Sequence, residues 1–219
     1  MENQKVMNRG LVVVGAILIQ LALGAIYAWS VFTPSLTSEG WTKADTQWVF
    51  AIGLASFAIF MVLAGKKLSS WGPQKLAWLG GLVLGLGYLL AGIFGGTSFW
   101  LLIMLIGLIG GAGIGLAYVV PIAVGMRWFH DKKGMITGLA VAGFGFGAML
   151  WVKLAGSWGH LIESMGLSTT FIVYGIAFAA MVIIGGLWMK FPPAGWKPEG
   201  YEAEQATAGA NNDDKEFSS

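Results

Sequence analysis

GLIGGAGIGLAYVVPIAVGMRWFHDKKGMITGLAVAGFGFG, Gly107 to Gly147, decides how this chain is read. Gly107, Gly111 and Gly115 recur every fourth residue and so share one helix face; Gly143 and Gly147 do the same after a polar interruption. Small residues at that spacing let helix backbones approach closely in lipid, where packing rather than hydrophobicity joins helices. Between the two glycine faces stands Arg127-Trp128-Phe129-His130-Asp131-Lys132-Lys133-Gly134. A segment so polar is excluded from hydrocarbon, so it marks the end of one membrane helix and the start of the next.

The rest of the chain has the same character. Of its 219 residues, 56% are hydrophobic and 11% charged, with a mean hydropathy of +0.72. A soluble domain carries roughly 25% charged residues, so there is too little polar surface here to cover a water-soluble globule. The composition predicts an all-α polytopic membrane protein. Cysteine is absent, which removes disulfides, thiolate metal sites and a thiol nucleophile. His130 and His160 are too few for a histidine-ligated metal, and no cofactor is expected. The first apolar run is as long as a full span of about 20 residues, so it is expected to act as an uncleaved insertion signal.

Six spans are predicted within a bundle covering 10–190: about 10–32 (ended by Pro34), 43–65, 76–94, 99–126, 135–158 and 169–189. Thr42-Lys43-Ala44-Asp45 matches a capping box opening the second. Residues 66–75 are expected as a polar loop. Residues 1–9 form a polar N-terminus, and 191–219 read as a disordered linker or tail. The basic residues are lopsided. Of the 13, all but Lys43 and Lys153 fall at the N-terminus, the second and fourth loops, or the tail. The positive-inside rule therefore predicts a cell-membrane protein with both termini cytoplasmic. Trp29, Trp41, Trp71, Trp100, Trp128, Trp158 and Trp188 fall near span ends, where interfacial anchoring is expected.

No catalytic constellation is present: no HExxH, no Gly-x-Ser-x-Gly, and no carboxylate pair inside a span. An enzyme is not expected. What remains is polar and aromatic material at membrane depth. Gln20, Gly24 and Tyr27 line one face of the first span; Tyr118 precedes Pro121 in the fourth; Gln47-Trp48 begins the second. A phenol or amide in hydrocarbon costs a few kcal/mol unless it finds a partner or a wet cavity. Interhelical hydrogen bonding is the plainer explanation for each alone. Tyrosines on two helices with glutamines nearby favour a cavity lining for a small polar or anionic solute. Lys153, the one charge within a span, is expected to snorkel outward.

Certain stretches carry a resemblance. Gly65-Lys66-Lys67-Leu68-Ser69-Ser70-Trp71-Gly72-Pro73-Gln74-Lys75 resembles the signature loop of the major facilitator superfamily. Leu23 to Phe32, Tyr118 to Gly134, Ala142 to Gly147, and Pro192-Pro193-Ala194-Gly195-Trp196 together resemble the oxalate/formate antiporter family, which includes monocarboxylate carriers. The resemblance implies the N-terminal six-helix half of a twelve-span fold, with substrate held between two halves near the midplane. It implies Tyr27, Gln47 and Tyr118 as substrate-binding positions. Gly65, Gly72, Gly111, Gly115, Arg127, Gly143 and Gly147 are implied as gating-loop and packing positions, with the glycine faces as moving seams. The family's cationic substrate ligands fall in the second half. Ser69 and Ser70 stand where the superfamily loop usually carries charge. Ile26 and Leu54 stand where the oxalate carriers have glutamines, which implies a monocarboxylate such as lactate, formate or pyruvate. The expected partners are a small carboxylate, membrane lipid and a second six-helix half, with no nucleic acid. The alternative is an inactive truncated fragment or a membrane scaffold.

Overall fold

The computed structural model describes residues 7–193, 195 and 196. Six helices are long and apolar enough to cross a membrane: α1 (Arg9–Ser38), α2 (Lys43–Trp71), α3 (Pro73–Gly95), α4 (Phe99–Trp128), α5 (Lys133–Ala155) and α6 (Leu161–Gly186). The predicted tail and the first six residues lie outside the described residues, apart from the tail's start at 191–193, 195 and 196.

Six antiparallel crossings bring four junctions to one end of the bundle. There Arg9 of α1 meets Asp131 of the α4–α5 loop. Gln74 of α3 donates to the carbonyls of Gly186 and Leu187 at the end of α6. The Trp128 indole donates to the Lys190 carbonyl at 2.7 Å. At the other end, the capping box of α2 forms as its sequence predicts. Thr42 Oγ1 accepts from the Asp45 backbone N–H at 3.1 Å, and the Asp45 carboxylate accepts from the Thr42 N–H at 2.9 Å.

The glycine faces find their partners inside the bundle. A Cβ on Gly111 would overlap the Gly53 carbonyl of α2, and one on Gly115 would meet the Phe57 carbonyl. Gly147 is pressed on Leu21 of α1, and Gly143 lies against the Gln20 side chain. These are therefore seams within the bundle, not faces turned outward to slide on another unit. Gly65 differs from the expectation: among the described residues, no atom outside its own stretch of helix lies within 4 Å of where its Cβ would stand. Gly72 is equally uncrowded, and its role is conformational. At φ +82° it turns the chain between α2 and α3, a region L residues other than glycine rarely adopt.

Several ends differ from the sequence expectation. α2 continues to Trp71, so the expected 66–75 loop shrinks to Gly72 alone. Hydropathy marks where a helix leaves the hydrocarbon, while Lys66 to Ser70 are free to continue winding in the interfacial zone. α1 also outlasts its predicted stop. It tightens to 3₁₀ winding over Gly24–Phe32 and restarts with Pro34 in the first turn of Thr33–Ser38, where proline's missing N–H is tolerated. α5 stops at Ala155, which puts the half-buried Lys153 in its last turn, a favourable place for a cation. α6 starts earlier than predicted and bends at Gly166, φ +78°.

Three expected tryptophan anchors have a different role. Trp29 and Trp128 are 3% and 1% exposed. Their indoles donate to the Thr46 and Lys190 carbonyls, and Trp41 donates to Thr97. A buried indole N–H needs an acceptor, and here it joins segments distant in sequence. Trp71, Trp100 and Trp158 remain exposed.

Candidate functional site

The site is built on one open face of the bundle, where α1, α2, α4 and α5 meet. Tyr27 lies in the 3₁₀ stretch of α1 and is 50% exposed. Its ring meets Phe144 of α5 edge-on at 5.5 Å, with Phe50 of α2 tilted at 6.1 Å. Tyr118 of α4 meets Phe144 at 5.1 Å and Phe57 of α2 at 5.2 Å. The two predicted tyrosines thus share one surface, both packed on the Phe144 ring.

Gln47 is exposed in the second turn of α2. With Tyr27, Ser30, Trp29 and Phe50 it lines a cavity of about 80 Å³. Tyr118 is not part of that cavity. It lies deeper along the bundle, level with Phe144, while Gln47 lies near the end remote from the chain's described termini. The polar groups therefore form a descending series, Gln47 with Ser30 and Tyr27, then Tyr118, along an aromatic wall. None of these four side chains hydrogen-bonds another described residue. In an apolar setting, free donors and acceptors on one face are available to a solute. Among the described residues, no Lys or Arg borders this cavity.

The structure adds Ser30, Phe50, Phe57 and Phe144 to this face. Ser30 was findable, because it sits one 3₁₀ turn after Tyr27; the phenylalanines carry no local signal. Ile26 does not face the cavity. It is buried in the seam between α1 and α2, close to Gly53, so it drops out of the argument from wall polarity. Leu54 is half-buried against the core. Gln20, on the same helix face as Tyr27 by spacing, is fully buried, and neither of its amide atoms has a partner among the described residues. The Arg127 guanidinium lies 3.7 Å over the Phe191 ring, at the basic end of the bundle.

The described chain is a six-helix membrane bundle with phenol, hydroxyl and amide groups on an open face. Comparison with known proteins agrees. The Major Facilitator Superfamily profile matches residues 12–212, and the chain belongs to that family, one of multi-pass membrane transporters rather than enzymes. It is 31% identical over 191 residues to the "Uncharacterized MFS-type transporter YhjX" of Escherichia coli (strain K12), covering 85% of this chain and 45% of that one. It is 24% identical to the "Oxalate:formate antiporter" of Oxalobacter formigenes, over 84% of this chain and 43% of that one. A shorter match, 37% over 51% of this chain and 20% of the relative, is to "Apicoplast pyruvate carrier 1" of Toxoplasma gondii. The chain spans about half the length, or less, of these curated relatives.

Proposed function

We propose that this chain is the first six-helix half of a secondary carrier for small carboxylates, a monocarboxylate such as lactate or formate, or oxalate, working by alternating access against a second six-helix unit. The observation that carries the proposal is the series Gln47, Ser30, Tyr27 and Tyr118 on a face that the bundle leaves open. Hydroxyl and amide donors suit carboxylate oxygens, and the Phe144 wall suits a short hydrocarbon part. A carboxylate in this setting also needs a cation. That charge falls to the facing unit, since no basic residue lines this cavity. The names of relatives, an oxalate:formate antiporter and a pyruvate carrier, point to the same solute class. The bundle end bearing Arg9, Lys66, Lys67, Lys75, Arg127, Lys132, Lys133 and Lys190 is assigned to the cytoplasm of a cell membrane by the positive-inside rule.

The test is uptake of labelled lactate, formate and oxalate into proteoliposomes, with the chain alone and with a second six-helix half. Uptake that needs both units and falls several-fold in Tyr118→Phe and Gln47→Leu supports the carrier. Uptake indifferent to both substitutions sinks the site. A chain that transports none of the three, either alone or with a companion half, leaves the scaffold reading in its place.

A further inference from the structure

A second cavity lies on the outside of the bundle, at the basic end and away from the Tyr27 face. It is a groove of about 330 Å³ between α2 and α3, floored by Leu116 of α4, large enough for part of a ligand. Its walls are apolar: Phe60 and Leu63 from α2 and Leu79 from α3, with Leu63 and Leu79 partly exposed. Lys66, Lys67 and Trp71 also line it, at the end where α2 leaves the membrane.

We propose that this groove binds an anionic phospholipid, with an acyl chain along Leu63, Leu79 and Leu116 and the phosphate at Lys66 and Lys67. Three observations support it. An acyl chain seated along these apolar walls gains dispersion contacts with them. Neither lysine pairs with a carboxylate among the described residues, whose ion pairs are Arg9–Asp131 and His160–Glu163. Basic pockets between membrane helices select anionic headgroups. Finally, Trp71 is exposed at the basic end of α2 with Lys67 Nζ 5.9 Å from its ring centroid, an arrangement suited to the membrane–water interface. Lys75 and Lys190 border a second open cavity across Trp71, which adds to the positive potential at that rim. Gln47 is near the opposite end of α2, so lipid binding here is separate from solute binding there.

The full chain in phosphatidylcholine vesicles is titrated with brominated phosphatidylglycerol or brominated phosphatidylcholine. Subtracting the Trp71→Phe trace isolates one signal from the 11 tryptophans. The phosphatidylglycerol should quench Trp71 more strongly at equal content, and Lys66→Gln with Lys67→Gln should reduce that preference roughly tenfold or more. Equal quenching by both lipids overturns the proposal, as does a preference that survives the double substitution. Absence of quenching by either lipid also overturns it, by showing a protein segment in the groove. Native mass spectrometry of the wild-type chain is an independent reading that needs no variant. Retained phosphatidylglycerol supports the site, and retention in bulk proportion overturns it.

Discussion

Arg9 donates from Nη2 to the Asp131 carboxylate at 2.6 Å, joining the start of α1 to the α4–α5 loop, 122 positions later. The same guanidinium lies 4.2 Å over the Phe129 ring and 5.6 Å from Trp196. The Trp196 ring is 4.9 Å from Trp128, whose indole holds the Lys190 carbonyl. Three segments far apart in sequence are thereby one block at the basic end. Any motion of α1 there carries the 4–5 loop and the segment after α6 with it.

That contact has a pH signature. Partial burial raises the Asp131 pKa, but the Arg9 hydrogen bond and the charges of Arg9 and Lys132 outweigh it and hold the carboxyl below its ordinary value of 3.8. A depressed carboxyl contributes stability above its unfolded pKa and loses it as pH falls through the folded one. Asp131→Asn should therefore lower stability at neutral pH by about 0.5–1 kcal/mol, the scale of a partly exposed pair. The gap to wild type should narrow as pH falls below 3.8, through the folded value of Asp131. Melting of both proteins in detergent, carried from neutral pH down to the acid limit of folding, measures this, and a gap that stays constant to that limit would refute it.

The Gly53–Gly111 crossing predicts a contrast between two glycines of the same sequence class. A methyl on Gly111 has the Gly53 carbonyl in its way, whereas Gly65 faces open space. Gly111→Ala should cost about 1–3 kcal/mol by overpacking. Gly65→Ala should be neutral or gain up to about 1 kcal/mol from helix propensity. Equal melting temperatures for the two variants would contradict the seam.

Gln20 is fully buried with both amide atoms unpartnered among the described residues, against Gly143. An unsatisfied buried polar group costs about 1–3 kcal/mol. Gln20→Met, similar in shape and without those groups, should raise the melting temperature. A lower melting temperature would mean that the amide makes a stabilising contact after all.

What the sequence revealed was local. Six spans, the Thr42–Asp45 cap and the glycine faces follow from composition and short spacings, which act within one segment. What it hid was relational. That Gly111 meets Gly53, or that Trp128 reaches Lys190, depends on helices placed side by side by packing across the whole bundle. The end of α2 escaped for another reason: Lys66 to Trp71 leave the hydrocarbon while remaining helical, so the polarity change precedes the helix end. At the site, polar residues in apolar runs were conspicuous, so Tyr27, Gln47 and Tyr118 stood out. Phe144 is one aromatic among many in the chain, and only its contact with both tyrosine rings distinguishes it.

That contact carries the last prediction. Phe144 is 7% exposed and meets Tyr27 and Tyr118 edge-on, at interplanar angles of 82° and 72°. Leucine fills a similar volume with different shape, so Phe144→Leu should cost at most about 1.5 kcal/mol of stability. It removes the ring edges that orient both tyrosines, contacts worth about 0.5–1.5 kcal/mol each. If the tyrosines hold solute as proposed, carboxylate uptake by the complete carrier should fall roughly three- to tenfold, through weaker apparent affinity. Phe146→Leu, on an exposed neighbour at 60%, is the control and should leave uptake unchanged. Equal uptake by the two variants would show that the Phe144 ring only fills space.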